Sequence, residues 1–401
     1  MINNEIKKEP LAAAASLWGI AFILWFVCDV NIAHSTIAQI AMVVFMGASA
    51  FFSYQKNISI KLNGVLVIYM LFILVCVCNV LSGRSINPNN SMFFIKSMIK
   101  NTFFAIAFHY YWKYVGSQKA IKTIVTSTVV ASVLLVIITF VKTRSIVIRG
   151  DSGLTNANIL ALCAAFSTCL IVGSEERLAK NDCLKIIWLV FFCILAGTKK
   201  ALFGCLIGTI LIMFIKKPSK ILRNILVSLI VLFAVYIAIY NIPLLYDSIG
   251  VRIDDFLYII ESGKRDNRST SIRFELMEDC LNAYKNGHSL FWGNGVNCYY
   301  TISSRGLYSH CNYTELLFSV GIVGIITYYC MHLKILLHSI RIAIVKHNAY
   351  SAIPVALIVF ILFSDIGLVS YFERISLLLI IICKEICDYG FETNSADKGT
   401  L

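Results

Sequence analysis

The chain has 401 residues, with 35 Lys and Arg against 22 Asp and Glu, and a formal net charge of +13. Apolar residues make up 58% of the chain and charged residues 14%, whereas soluble domains carry roughly 25% charged residues. This composition excludes a soluble enzyme, a disordered tail and a DNA-binding domain. It supplies material for about ten to twelve membrane helices. The basic excess needs no nucleic acid, since inner-membrane proteins gather Lys and Arg on cytoplasmic loops.

Apolar runs of helical length predict an all-α, polytopic integral membrane protein with about 12 transmembrane helices. A bilayer admits only helices or closed barrels, and runs this long lack the alternation of barrel strands. The fourth run contains Lys96 and Lys100, and the seventh and eighth are short. The predicted spans are 11–30, 34–53, 64–82, 92–112, 121–141, 155–173, 184–197, 201–215, 221–240, 314–333, 350–366 and 374–388.

The distribution of Lys and Arg predicts that both termini are cytoplasmic. Most basic residues between the spans fall in the even-numbered connections and the termini, the side that the positive-inside rule assigns to the cytoplasm. The chain then divides into nine transmembrane helices over 1–240, one large external loop over 241–313, and three helices with a cytoplasmic tail over 314–401. A connection this long is predicted to be folded and functional.

Arg273 is the first candidate for a binding residue in this loop. The segment from Ser269 to Leu276 predicts the start of a helix, with Ser269, Thr270 or Ser271 as N-cap. The helix dipole mildly disfavours an arginine so near this end. A cation beside a helix N-terminus suits a site that holds an anion, and the alternative is a solvated surface arginine.

His310 is the second candidate, at the mouth of the tenth span. Asn312 and Glu315 follow closely, so we expect them to fix the tautomer of the imidazole. The alternative is an ordinary polar residue at the membrane interface.

Lys199 and Lys200 stand in the short external turn between the seventh and eighth spans. Two lysines there cost free energy unless an anion or a lipid headgroup meets them. The alternative is that both ammonium groups extend to the headgroup region.

The 14 cysteines do not indicate a disulfide framework. Most lie in or beside apolar runs, where cysteine behaves as a small hydrophobic residue. Cys280, Cys298 and Cys311 fall in the external loop, and an oxidising compartment would permit one disulfide among them. No cysteine pattern predicts a metal site.

Five segments occur in order between about residues 149 and 324: Arg149–Ala161, Gly197–Gly204, Ser271–Arg273, Leu290–Gly295, and Tyr308–Glu315 followed by Gly321–Gly324. Together they resemble the O-antigen polymerase and ligase family of bacterial envelope glycosyltransferases. The last segment is similar to the family signature Ser-His-Asn-x-Tyr-x-Glu…Gly-Ile-x-Gly, with Cys311 where members often have Asn. Lys199 and Lys200 stand where many members have an arginine, so the charge is kept and the bidentate fork is lost.

The resemblance implies a GT-C-like glycosyltransferase in the bacterial inner membrane, with its active site on the periplasmic face. Such enzymes transfer a glycan from undecaprenyl pyrophosphate to an acceptor hydroxyl, without a metal ion or other cofactor. The implied partners are this lipid-linked oligosaccharide, the bilayer and a chain-length regulator protein, and no nucleic acid.

The implied chemistry assigns roles to the candidate residues. The leaving pyrophosphate needs fixed donors, each worth about 3 kcal/mol, and a neutral His310 suits the base that accepts the hydroxyl proton, contributing roughly 10²- to 10⁴-fold. The candidates for binding pyrophosphate are Arg273, Lys199, Lys200 and Arg252. The candidates for supporting residues are Asn158, Asn312, Tyr313 and Glu315.

Three functions remain open from the sequence. A polymerase extends another lipid-linked glycan, whereas a ligase attaches the chain to lipid A-core; the motifs around 197–201 and 308–315 look more like those of polymerases. A transporter or flippase would favour inverted repeats. No internal repeat is evident, and the polar residues gather in one loop, so transport is the weakest alternative.

Overall fold

The computed structural model describes residues 8–31, 35–55, 63–146, 148, 157–175, 178–216, 218–262, 269–286, 289–346 and 349–389. Over these ranges the chain forms helices and connecting turns, with no β-strand. The all-α fold class predicted from the sequence is confirmed.

Over the described residues, each of the twelve predicted spans forms a helix, and the loop adds three helices of four or more residues and a three-residue helical turn, Pro243–Leu245. The helices in chain order are α1 (Lys8–Asn31), α2 (Thr36–Gln55), α3 (Gly64–Leu81), α4 (Pro88–Val115), α5 (Ser117–Thr143), α6 (Ala157–Ser174), α7 (Lys180–Leu195), α8 (Lys199–Lys216), α9 (Ile221–Asn241), α10 (Val251–Ser262), α11 (Ser269–Asn286), α12 (Tyr299–Ile302), α13 (Asn312–Lys346), α14 (Ala349–Ser364) and α15 (Arg374–Tyr389). A π-helical turn, Tyr246–Gly250, precedes α10.

Five of these helices, α2, α3, α5, α6 and α13, are long and apolar enough to cross a bilayer, and α1, α9 and α14 contain shorter apolar segments. The chain is therefore a membrane protein. The count of twelve spans and the orientation of the termini stay predictions. Lys96 and Lys100 are exposed on the surface of α4, and their charges explain why this helix is not among the five.

The core of the bundle is centred on α6, which is buried along most of its length and packs against α5, α7, α8 and α14. Small residues permit this close packing. A Cβ added to Gly208 would collide with the thiol of Cys169, and one added to Gly204 would collide with the ring of Phe360. Because protein interiors are packed near crystal density, neither glycine has room for a larger side chain.

The connections predicted to be external gather at one end of the bundle. Arg374, at the start of α15, pairs with Asp29 near the end of α1 at 3.0 Å. Asn79 of α3 donates to the carbonyl of Gly293 in the loop at 3.1 Å. The amide of Asn312 donates to the carbonyl of Asp365 after α14 at 2.8 Å. The end of the bundle that holds the loop is thus built from several helix ends.

Two glycines dock the loop against α13. Four backbone hydrogen bonds of 2.8 to 3.1 Å join residues 290–295 to residues 318–323, where α13 kinks. Gly293 and Gly321 have φ of 76° and 66°, and a Cβ on either would lie within 2.6 Å of the opposing backbone. Only glycine fits both this conformation and this approach. The kink therefore fixes the loop to a membrane helix.

Candidate functional site at the loop end of the bundle

Arg273 is oriented by the apolar face of its helix. The predicted loop helix is present as α11, which begins at Ser269, so that the three N-cap candidates lie within the helix. Leu276 and Cys280 are buried against Phe318 of α13. A bond of 3.1 Å from the Tyr299 hydroxyl to the Leu276 carbonyl fixes the helix further. Arg273 lies one turn before Leu276, and its buried Nε atom has no hydrogen-bond partner. A buried guanidinium donor without an acceptor is costly, which favours a site that receives an anion.

His310 adopts a left-handed backbone conformation, with φ of 57°. Such strain costs about 1–3 kcal/mol and persists only where neighbours enforce it. The Ser309 hydroxyl donates to the Cys311 carbonyl at 2.9 Å and accepts from the Cys311 amide at 3.3 Å. The buried Glu315 carboxylate accepts from the Ser309 amide at 2.9 Å. The turn that presents His310 is therefore braced on both sides.

Asn312 connects this turn to the loop between α14 and α15, residues 365–373. Its Oδ1 accepts from the Ser370 and Tyr371 amides at 2.9 and 3.1 Å. Its Nδ2 donates to the carboxylate of Asp365 at 3.1 Å. Asp365 is 1% exposed and also accepts from the hydroxyls of Ser370 at 2.6 Å and Tyr329 at 2.8 Å. This satisfied buried network makes the 365–373 loop a rigid wall of the site.

The expectation that Asn312 and Glu315 fix the His310 tautomer is wrong. Both side chains point into the bundle, where Asn312 and Glu315 accept from backbone amides that would otherwise be buried without partners. The imidazole has no hydrogen bond to any described residue, and its closest ring contact is with Tyr308, at 4.2 Å between centroids. Asn312 and Glu315 support the backbone of the turn instead.

Of the two adjacent lysines, Lys200 belongs to this cluster. Its side chain packs on Gly367 of the 365–373 loop, near the His310 carbonyl. Lys199 lies on the other side of α8, where its charge lowers the pKa of Asp254, after the larger effect of hydrogen bonds from Tyr240 and Tyr246. Although they are adjacent in the sequence, Lys200 faces the 365–373 loop and Lys199 faces Asp254 of α10.

The pKa values of these groups record their proximity. Burial, followed by the charges of Arg273 and Lys200, lowers the pKa of His310 to about 4. Lys200 lies just before the predicted span 201–215; burial, followed by Arg273, lowers its pKa to about 7, against opposing effects of Asp365 and Cys311. Neither Lys200 nor His310 has a hydrogen-bond partner among the described residues. An anion between these groups would relieve their mutual repulsion.

The remaining predicted residues are less central. Asn158, in the first turn of α6, accepts from the Thr198 hydroxyl at 2.9 Å and so braces the start of α8. Tyr313 donates to the Leu362 carbonyl at 2.8 Å. Arg252 lies in α10, and its side chain falls outside the described part of the structure. None of these observations tests the predicted roles in catalysis or binding.

The three loop cysteines are buried and free. Cys280 donates to the Thr314 carbonyl at 3.5 Å, whereas Cys298 lies 3.3 Å from the Ser91 hydroxyl. Within the ranges that the structure describes, no group of three or more His, Cys, Asp or Glu residues is placed to hold a metal ion. Independence from metals stays a prediction.

Sequence reasoning missed Asp365, Tyr329 and Gly367. One signal was present: Asp365 is an acidic residue at the end of the eleventh apolar run, where a charge is expensive and usually functional. Its neighbour Gly367 carries no sequence signal of its own, because its role depends on which side chain packs against it.

A comparison with family models matches residues 184–329 to a model described as O-antigen ligase. The matched segment includes Lys200, Arg273, His310 and Glu315, whereas Asn158 and the 365–373 loop lie outside it. No curated protein matches the chain. The family match supports the resemblance predicted from the sequence: residues 184–329, about a third of the chain, are similar to the O-antigen ligase family.

Proposed function

We propose that the protein is an O-antigen polymerase. It transfers a glycan from an undecaprenyl-pyrophosphate donor onto a sugar hydroxyl of a second lipid-linked repeat unit, at the periplasmic face of the inner membrane. One observation carries the proposal. Arg273, Lys200 and His310 converge at the loop end of the bundle, close enough for each cation to lower the pKa of His310, and Asp365 is the one carboxylate whose charge acts on Lys200 among the described residues.

The proposed reaction divides between these groups. The acceptor hydroxyl oxygen forms a bond to the anomeric carbon of the donor, and the bond from that carbon to the diphosphate oxygen breaks. The electron pair leaves with the diphosphate, whose developing charge meets Arg273 and Lys200. His310 accepts the hydroxyl proton. In this proposal, stabilisation of the leaving group and acceptance of the proton are both provided by side chains, without a metal ion.

The low pKa of His310 suits this sequence of events. In the absence of donor, Arg273 and Lys200 make His310 a weak base. A diphosphate linked at both ends carries two negative charges, and these would offset the two cations and raise the pKa of the imidazole. The base therefore becomes effective when the donor is bound, which limits proton abstraction in its absence.

The second candidate is an O-antigen ligase, which transfers the glycan to lipid A-core. The description of the matching family model favours it, whereas the motifs around 197–201 and 308–315 favour a polymerase. The lipopolysaccharide of a deletion strain separates the two. We expect lipopolysaccharide capped with a single repeat unit, restored to a ladder by the plasmid-borne gene. Bare core with accumulated lipid-linked polymer would identify a ligase, and an unchanged ladder would refute both.

The remaining features of the proposal follow from the same assignment. Both termini lie in the cytoplasm, the fold is GT-C-like, and a chain-length regulator is the expected protein partner. Reporter fusions after residues 241 and 389 would test the orientation. We expect a periplasmic signal from the first and a cytoplasmic signal from the second, and the reverse pattern would place the candidate site on the wrong side of the membrane.

A further inference from the structure

The end of the Lys200 side chain occupies the space that the missing side chain of Gly367 leaves in the 365–373 loop. The 365–373 loop faces the first turn of α8, and at Gly367 the ammonium and the last side-chain carbon of Lys200 fill the space that a side chain would occupy. A Cβ built on Gly367 would lie 2.6 Å from Cε of Lys200, in contact with its Nζ, and 3.9 Å from the His310 carbonyl. Carbon atoms do not approach this closely without displacement.

The backbone does not require glycine at this position. Gly367 is absent from the residues with positive φ, in contrast to Gly293 and Gly321. An alanine would therefore fit the local conformation. Glycine is needed at position 367 because a side chain there would occupy the space that the end of Lys200 fills.

The wall cannot easily move back to admit a side chain. The Gly367 amide donates to the Ser364 carbonyl at 3.1 Å. On either side of it, Asp365 and Ser370 are joined at 2.6 Å, and Asp365 is bonded to Tyr329 on α13 at 2.8 Å. A methyl group at position 367 would therefore displace the long, flexible lysine and not the loop.

We propose that Gly367 is a positioning residue that holds the ammonium of Lys200 beside His310 and Arg273. The inference rests on the proposed function only for its effect on activity, because the position of Lys200 can be measured independently. It assigns a role to a loop that lies outside the segment matched by the family model.

The first experiment measures where Lys200 lies. Wild-type protein and Gly367→Ala in detergent are treated with an amine-acylating reagent between pH 6 and 10, and modification of Lys200 is quantified by mass spectrometry. In the wild type the amine loses its proton near pH 7. Displacement toward solvent should move its titration up toward the ordinary lysine value of about 10.4, so that reactivity at pH 7.5 falls at least fivefold. An unchanged titration profile overturns the proposal.

The second experiment measures the consequence for transfer. Gly367→Ala should lower the rate by about 10- to 100-fold, within the loss expected for one misplaced donor. In a Lys200→Ala background the same substitution should change the rate less than twofold, because its target is gone. An equal loss in both backgrounds would mean that Gly367 acts through the fold, and the proposal would fail.

The two experiments distinguish the positioning role of Gly367 from the role of Lys200 in transfer. A shifted Lys200 titration with unchanged transfer would leave the positioning role intact and remove Lys200 from the proposed mechanism. Gly47→Ala is the matched control. Gly47 lies in α2 with nothing within 4 Å of a built Cβ, so this variant should preserve both the Lys200 profile and the rate.

Discussion

The most direct test of the cation pair is the pH dependence of donor binding. Burial and the neighbouring Arg273 lower the pKa of Lys200 to about 7. Lys200 is therefore charged at pH 6 and becomes neutral as the pH rises through 7. A diphosphate esterified at both ends keeps its charge across this range, and His310, with a pKa of about 4, stays neutral. Between pH 6 and 9, affinity for the donor should fall as Lys200 loses its proton.

The size of the effect follows from the titration. If the bound diphosphate keeps the amine charged, the apparent Kd rises about 10-fold from pH 6 to pH 8. At pH 9 the increase approaches about 100-fold, close to the whole contribution expected of one donor of about 3 kcal/mol. Retention of radiolabelled undecaprenyl-pyrophosphate glycan by the protein in nanodiscs, at constant ionic strength, would measure it.

Lys200→Arg provides the comparison, because a guanidinium remains charged throughout this range. Its binding should depend on pH clearly less than that of the wild type, whereas every other titratable group, including the Asp365 and Cys311 side chains that face Lys200, is unchanged. Equal pH dependence in the two proteins would refute the reasoning and assign the titration to another group.

The other predictions concern single residues of the site. His310→Ala should abolish chain extension while the protein still accumulates in the membrane, and full-length polymer in this variant would remove the proposed base. Arg273→Ala should be similarly severe and Arg273→Lys partly active, read from the lipopolysaccharide ladder. Arg305→Ala is the control, since this exposed arginine pairs with Glu275 at 2.9 Å and such pairs are worth about 0–1 kcal/mol. Asp365→Asn replaces one of the two oxygens that accept from the Ser370 and Tyr329 hydroxyl groups by an amide donor, and a buried donor or acceptor left without a partner costs about 1–3 kcal/mol. It should lower the melting temperature in detergent together with the activity, and an unaltered melting temperature would contradict the bracing role of the 365–373 loop.

The helices could be predicted because the solvent of the protein is a bilayer. Long apolar runs have few alternatives there, and even the fourth run, which contains two lysines, and the short seventh and eighth runs form the helices α4, α7 and α8. The loop helix that begins at Ser269 was also predicted from the local sequence, although its N-cap was not. These predictions needed only interactions between residues close in the sequence.

The site was harder to predict because it depends on contacts between distant parts of the chain. Nothing in the sequence separates Lys199 from Lys200, since the difference arises from what packs on each side of α8. Asn312 was expected to serve His310, two residues earlier, but it binds Asp365 and Ser370, more than fifty residues later. The short spacing between His310 and Asn312 suggested a contact between their side chains, but the Asn312 side chain points into the bundle.

The docking of residues 290–295 onto the kink of α13 has a consequence for sequence variation. The four hydrogen bonds use main-chain atoms alone, so they place little demand on the side chains that accompany them. Exchanging Phe291, which is 63% exposed, for another residue should leave the joint intact. Replacing Gly293 or Gly321 by alanine should open it, even though each change adds a single methyl group. The geometry of this joint therefore depends on the absence of a side chain at Gly293 and Gly321.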